Sequence, residues 1–98
     1  MDKQTILDAA VTLAETLGYR GVFKRHLADK LQCGMGTVNY HWGAMDVLRA
    51  AIVHEAIRRA NQQIILQAVS LRDPIIWRKN LTQSLRDRLD ALGIASVA

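Results

Sequence analysis

Lys24-Arg25-His26-Leu27-Ala28-Asp29-Lys30-Leu31-Gln32-Cys33-Gly34-Met35-Gly36-Thr37-Val38-Asn39-Tyr40-His41-Trp42 is the stretch on which the reading of this chain turns. Leu27, Ala28 and Leu31 recur at helical spacing, which predicts a short helix from about Lys24 to Gln32. Val22 and Phe23 stand where a capping hydroxyl would help its start. Gly34 and Gly36 bracket a tight turn into another short helix ending near Trp42, and Gly43 breaks the chain again. Two short helices across a tight turn, preceded by a helix with its own apolar face, form the layout of a helix-turn-helix. Such a layout props one short helix at a fixed angle so that it projects into a DNA major groove about 12 Å wide. The expected props are Leu27, Ala28, Leu31, Cys33, Val38 and Trp42. Met35, Thr37, Asn39, Tyr40 and His41 are expected to be exposed, and the last four of these are all hydrogen-bonding residue types, more than a random solvated face needs.

Upstream, Ile6, Ala10, Leu13, Ala14 and Leu17 predict an amphipathic first helix, capped by Asp2 or Thr5 and stopped by Gly18. Downstream, no Gly or Pro occurs from Met45 to Leu71, which predicts one long helix. Val47, Leu48, Ala51 and Ile52 make an early stripe there. Ile64, Ile65, Leu66, Ala68 and Val69 are apolar nearly all round, so that part is expected to be covered on more than one side. Asp73-Pro74 reads as a helix restart. The last helix then carries Trp77, Leu81, Leu85, Leu89 and Leu92 in a stripe that needs a partner. The expected fold is all-α with five helices. Residues 1–45 form a three-helix helix-turn-helix part. Residues 46–98 supply two longer helices as a dimerisation body within the same compact domain, paired through Ile64, Ile65, Val69, Trp77, Leu81, Leu85 and Leu89.

Composition agrees with one small globular domain. The chain has 98 residues, half of them apolar, with 22% charged, a single Pro and few aromatics. Thirteen Lys and Arg against nine Asp and Glu leave a net charge of +4. That balance favours an anionic partner such as nucleic acid, an acidic protein surface or a membrane surface. The lone Cys33 excludes an intrachain disulfide, and three scattered His give no zinc spacing. No apolar run reaches membrane-spanning length, and Met1-Asp2-Lys3-Gln4 lacks a signal peptide's apolar stretch, so a cytoplasmic setting is expected. No nucleophile with a supporting base, no glycine-rich phosphate loop and no paired carboxylates in a plausible cleft are recognisable, which argues against an enzyme.

Several separated positions resemble the DNA-binding part of the tetracycline-repressor (TetR) family of transcriptional regulators. Ile6-Leu7-Asp8-Ala9-Ala10 matches the family's Ile-Leu-x-Ala-Ala helix, Gly18-Tyr19 its Gly-Tyr, and Leu27-Ala28 its Ile-Ala position. Gly36-Thr37-Val38-Asn39-Tyr40-His41-Trp42 matches the family's recognition helix, Gly-Thr-Leu-Tyr-x-Tyr/His-Phe, and Leu48 matches a Leu in the helix that follows. The register runs from Ile6 to Leu48 without a gap. The resemblance implies that Arg25 contacts a groove or phosphate, and that Thr37, Tyr40 and His41 contact phosphates and base edges. Asn39 replaces a phosphate-contacting Tyr, and its amide suits bidentate pairing with adenine. Where the family often carries Lys, this chain has Met35 and Met45, and Gly34 replaces the Ser/Thr cap. Family members are about twice this length.

Trp42 reads more readily as a core wedge than as a base-stacking group, and Cys33 as a small buried hydrophobe. His26 and His54 read as surface or boundary residues. Lys24-Arg25, a basic pair beside the groove-reading helix, favours phosphate contact. The candidate DNA-binding set is therefore Lys24, Arg25, Met35, Gly36, Thr37, Asn39, Tyr40 and His41. The expected function is a homodimeric, sequence-specific regulator bound to a palindromic site in double-stranded DNA, with no cofactor or metal. Two helices behind the motif leave little room for a small-molecule effector except at a dimer interface. The alternatives are a protein-interaction module and a sequence-independent DNA-coating protein that keep the same fold.

Overall fold

The computed structural model describes residues 1–77 and 82–93, and of Trp77 the backbone alone; six α-helices and two 3-10 turns occur among them, without a strand. The fold is all-α. The chain divides into two compact units, Met1–Ile52 and Val53–Ala98.

In the first unit, α1 (Lys3–Leu17) starts at Asp2, whose Oδ1 accepts the Thr5 N–H at 2.7 Å. The bond to Thr5 holds the Asp2 carboxyl below its ordinary pKa. Gly18 ends the helix at φ 78°, where a Cβ would be strained, and donates its N–H to the Ala14 carbonyl. Ile6, Leu7, Ala9, Ala10, Val11 and Ala14 form the buried face. Leu17, expected on that face, is 43% exposed, and Leu13 is half-buried. A 3-10 turn, Tyr19–Gly21, follows with Tyr19 almost fully buried. Next come α2 (Lys24–Leu31), α3 (Met35–His41) and the first residues of α4 (Met45–Arg58), with α1 packed on α2 and α2 on α3.

The start of α2 lacks a hydroxyl, and a histidine compensates. His26 Nδ1 accepts the Phe23 N–H at 3.0 Å, satisfying one of the donors that a helix start leaves open. At its other end Gln32 adopts the left-handed conformation (φ 53°, ψ 47°), and the Cys33 N–H reaches back to the Ala28 carbonyl. This is a Schellman closure without glycine.

The same device corrects the expected long helix from Met45 to Leu71. α4 stops at Arg58 and α5 spans Gln62–Ser70. Ala60 lies at φ 56°, the Asn61 N–H bonds the Ala56 carbonyl at 2.8 Å, and the Ala60 N–H bonds that of Ile57. Asn61 then caps α5 by accepting the Ile64 N–H. Arg72 (φ 55°) closes α5 in like manner, with the Asp73 N–H on the Ala68 carbonyl. Ala60→Gly will remove the left-handed strain of a Cβ and raise stability by roughly 0.5–1 kcal/mol, read as a rise in the urea midpoint. A lower midpoint would show that the closure tolerates Ala60 without strain.

The expected last helix also divides. Asp73 Oδ1 accepts the Ile75 N–H, but the segment it starts is a 3-10 turn, Pro74–Trp77. A separate helix, α6 (Gln83–Ala91), begins at Thr82, whose hydroxyl accepts the Leu85 N–H. Leu81 and the Trp77 side chain lie outside the described residues.

Glu55, on the part of α4 that belongs to the second unit, is buried yet charged. Burial pushes its carboxyl up, but hydrogen bonds and charge from Arg58 and Arg59 outweigh that and hold it below the ordinary range. No described helix is long and apolar enough to cross a membrane.

Candidate nucleic-acid interface

α3 is seven residues long, roughly 10 Å at 1.5 Å per residue. Val38 is fully buried and Trp42, one turn on, is 8% exposed, so these two anchor one side of it. Trp42 is fixed further by its indole N–H, which donates to the Lys3 carbonyl at 3.1 Å, and by the Lys3 ammonium 4.4 Å from its ring centre. Of the other expected props, Leu27 and Ala28 are buried, whereas Leu31 and Cys33 are only half-buried.

The opposite side of α3 is open. Gly36 and Tyr40 lie one turn apart on it, flanked by the exposed Asn39. Tyr40 is 85% exposed and meets the His41 ring edge-on, with centroids 5.0 Å apart. A Cβ at Gly36 would meet nothing within 4 Å outside the helix's own backbone. Glycine inside a helix costs roughly 0.5–1 kcal/mol relative to alanine, and packing within the chain does not require it here. Met35 is half-exposed, and Thr37 and His41 are of intermediate exposure. All six candidates on α3 are thus at least partly accessible, on a helix held by its other face.

The two basic candidates on α2 differ from each other. Lys24 Nζ donates to the Gly43 carbonyl at 2.6 Å, which places the start of α2 beside the segment that leaves α3. The ammonium is committed, at least in part, to joining those elements. Arg25 is exposed, with its guanidinium 5.1 Å from the Phe23 ring centre. From the sequence, Phe23 and His26 received no role at this point, and Arg49 was not singled out. The signal available for His26 was its place three residues after a helix start lacking a hydroxyl cap.

The expected dimerisation residues separate into two groups. Ile64, Ile65 and Leu89 are fully buried within the chain, which leaves their side chains no surface for a second copy. Val69 is 40% exposed, alongside Leu66 at 59% and Leu71 at 45%, and Leu85 is half-buried. Among the described residues no three His, Cys, Asp or Glu side chains gather to hold a metal ion. Compared with known protein families, with curated proteins and with solved structures, the chain matches none.

Proposed function

We propose that this chain is a sequence-specific DNA-binding transcriptional regulator in which α2 and α3 form a helix-turn-helix and α3 enters the major groove. The observation that carries this reading is the two-sided character of α3. Val38 and Trp42 anchor one face, and Gly36, Asn39 and Tyr40 stand open on the other. A phenol exposed to 85% is poorly used by a monomer in water, and Tyr favours sites where one end stays wet and the ring is covered by a partner. Gly36 leaves room for a close backbone approach at the N-terminal end of the same face. The resemblance of Ile6 to Leu48 to the TetR pattern supports the same assignment.

The regulator acts as a homodimer on a palindromic site, since a helix-turn-helix reads one half-site per recognition helix. The apolar, exposed side of α5 supports the pairing. Cytoplasmic location belongs to this reading.

Iterative selection from random duplex DNA at about physiological salt, where nonspecific contacts are already weakened, tests it and yields the preferred site. On that site Tyr40→Ala and Arg25→Ala will each weaken binding by about tenfold or more while thermal melting stays unchanged. Absence of duplex binding by the wild-type chain would sink the reading. A protein-interaction module is the second reading. It is favoured by the half-exposed Met35 on the groove face and by the commitment of Lys24 to the Gly43 carbonyl.

A further inference from the structure

Phe23 is 42% exposed and carries two guanidinium groups, Arg25 from α2 and Arg49 from α4, each 5.1 Å from the ring centre. Among the described residues no ion pair joins a carboxylate to either arginine. Arg49 is held by little else. One Nη donates to the Val22 carbonyl at a long 3.4 Å, and its Nε is shielded from water without a hydrogen-bond partner. Two like charges gathered on one ring repel each other, and a guanidinium with a shielded, unused donor gains most from an anion. The planar fork of arginine suits the oxygens of a phosphate diester, and stacking on an aromatic ring pre-orients it.

We infer that Arg25, Phe23 and Arg49 form a clamp for a backbone phosphate of duplex DNA at the flank of α3. The inference rests on the DNA-binding reading, and DNA is the favoured partner because the clamp adjoins the groove face. Lys24, between Phe23 and Arg25 in the chain, bonds the Gly43 carbonyl just past the end of α3. The first turn of α4 carries no cation, only Met45 and the acidic Asp46, and Arg49, one turn beyond Met45 on the same helix, supplies one. A phosphate contact fixes position without reading sequence. Arg49 is therefore a positioning contact, and Tyr40 and Asn39 carry specificity.

The test is a titration of the full chain with its selected site and with a random duplex, from about 50 to 200 mM salt. Arg49→Gln will weaken binding by a similar factor on both duplexes. It will also reduce the slope of log K against log salt by about 0.9, so that the variant loses about 3.5-fold less affinity than wild type across that range. Arg49→Lys will keep the slope. A wild-type slope in Arg49→Gln, with Tyr40→Ala still weakened, overturns the clamp and leaves the DNA-binding reading standing. No duplex binding by wild type overturns both and turns attention to an acidic protein partner. Should melting show Arg49→Gln unfolded, Phe23→Leu decides. It keeps both cations and removes the ring, so affinity must fall at an unchanged slope, and unaltered affinity overturns the clamp.

Discussion

Trp42→Ala will lower the stability of the protein by about 3–5 kcal/mol, a large part of what a domain of this size possesses. The indole is 8% exposed, and its removal opens a void that the residues around it cannot fully close. It also removes the bond from the indole N–H to the carbonyl of Lys3, which joins the end of α3 to the first turn of α1 across 39 positions of sequence. Trp42→Phe separates the two contributions. It keeps most of the bulk and loses only the donor, at about 1 kcal/mol, because the Lys3 carbonyl lies on an exposed residue and water can replace the indole. Urea unfolding of the three proteins measures both steps. A cost below about 1 kcal/mol for Trp42→Ala would mean that the ring is not a wedge. Because Trp42 and Val38 anchor the same side of α3, the substitution will also loosen the angle at which Tyr40 and Asn39 are presented. In the proposed DNA-binding role, affinity will therefore fall further than stability alone requires.

Much of the first unit was legible in the sequence because its boundaries are written in residues with local meanings. Asp2 and Gly18 bound α1, the pair Gly34 and Gly36 flanks the start of α3, and Val38 and Trp42 declare a buried side by spacing alone. The openness of Tyr40 and Asn39 followed from the same periodicity. The break at Ala60 was not legible, whereas the end of α5 near Arg72 was, because Asp73-Pro74 marks a restart. The Schellman closure at Ala60 uses a residue that carries no helix-stopping signal, and the left-handed conformation is settled by the bonds the backbone then makes. The committed state of Lys24 and the stacking of Arg25 and Arg49 on Phe23 were hidden for another reason. The Lys24 bond and the Arg49 stacking depend on which side chains the tertiary structure brings together across 19 and 26 positions, and no local pattern encodes that, although Arg25 lies only two positions from Phe23. On α5 periodicity failed for lack of contrast. Ile64, Ile65, Leu66, Ala68 and Val69 are all apolar, so sequence alone could not divide core from surface.

That division sets up opposite outcomes for residues that the sequence would place in one interface. Leu89→Ala will cost about 2–5 kcal/mol of stability, since the side chain is fully buried and its loss leaves a cavity. In the folded protein it will leave self-association unchanged, as measured by sedimentation across a tenfold concentration range. Leu66→Gln will do the reverse. Leu66 is 59% exposed, so the substitution changes stability by less than about 0.5 kcal/mol, while in the proposed dimer a polar amide on the exposed face of α5 weakens pairing with a second copy. Val69→Gln, one turn away on α5 and 40% exposed, will act in the same direction as Leu66→Gln. If Leu89→Ala dissociated a folded dimer and Leu66→Gln did not, α6 and not the open side of α5 would carry the pairing. The spacing of two recognition helices would then have to be built from the other end of the second unit. If neither affected association, the chain would engage DNA one half-site at a time, and selection would return a single half-site in place of a palindrome.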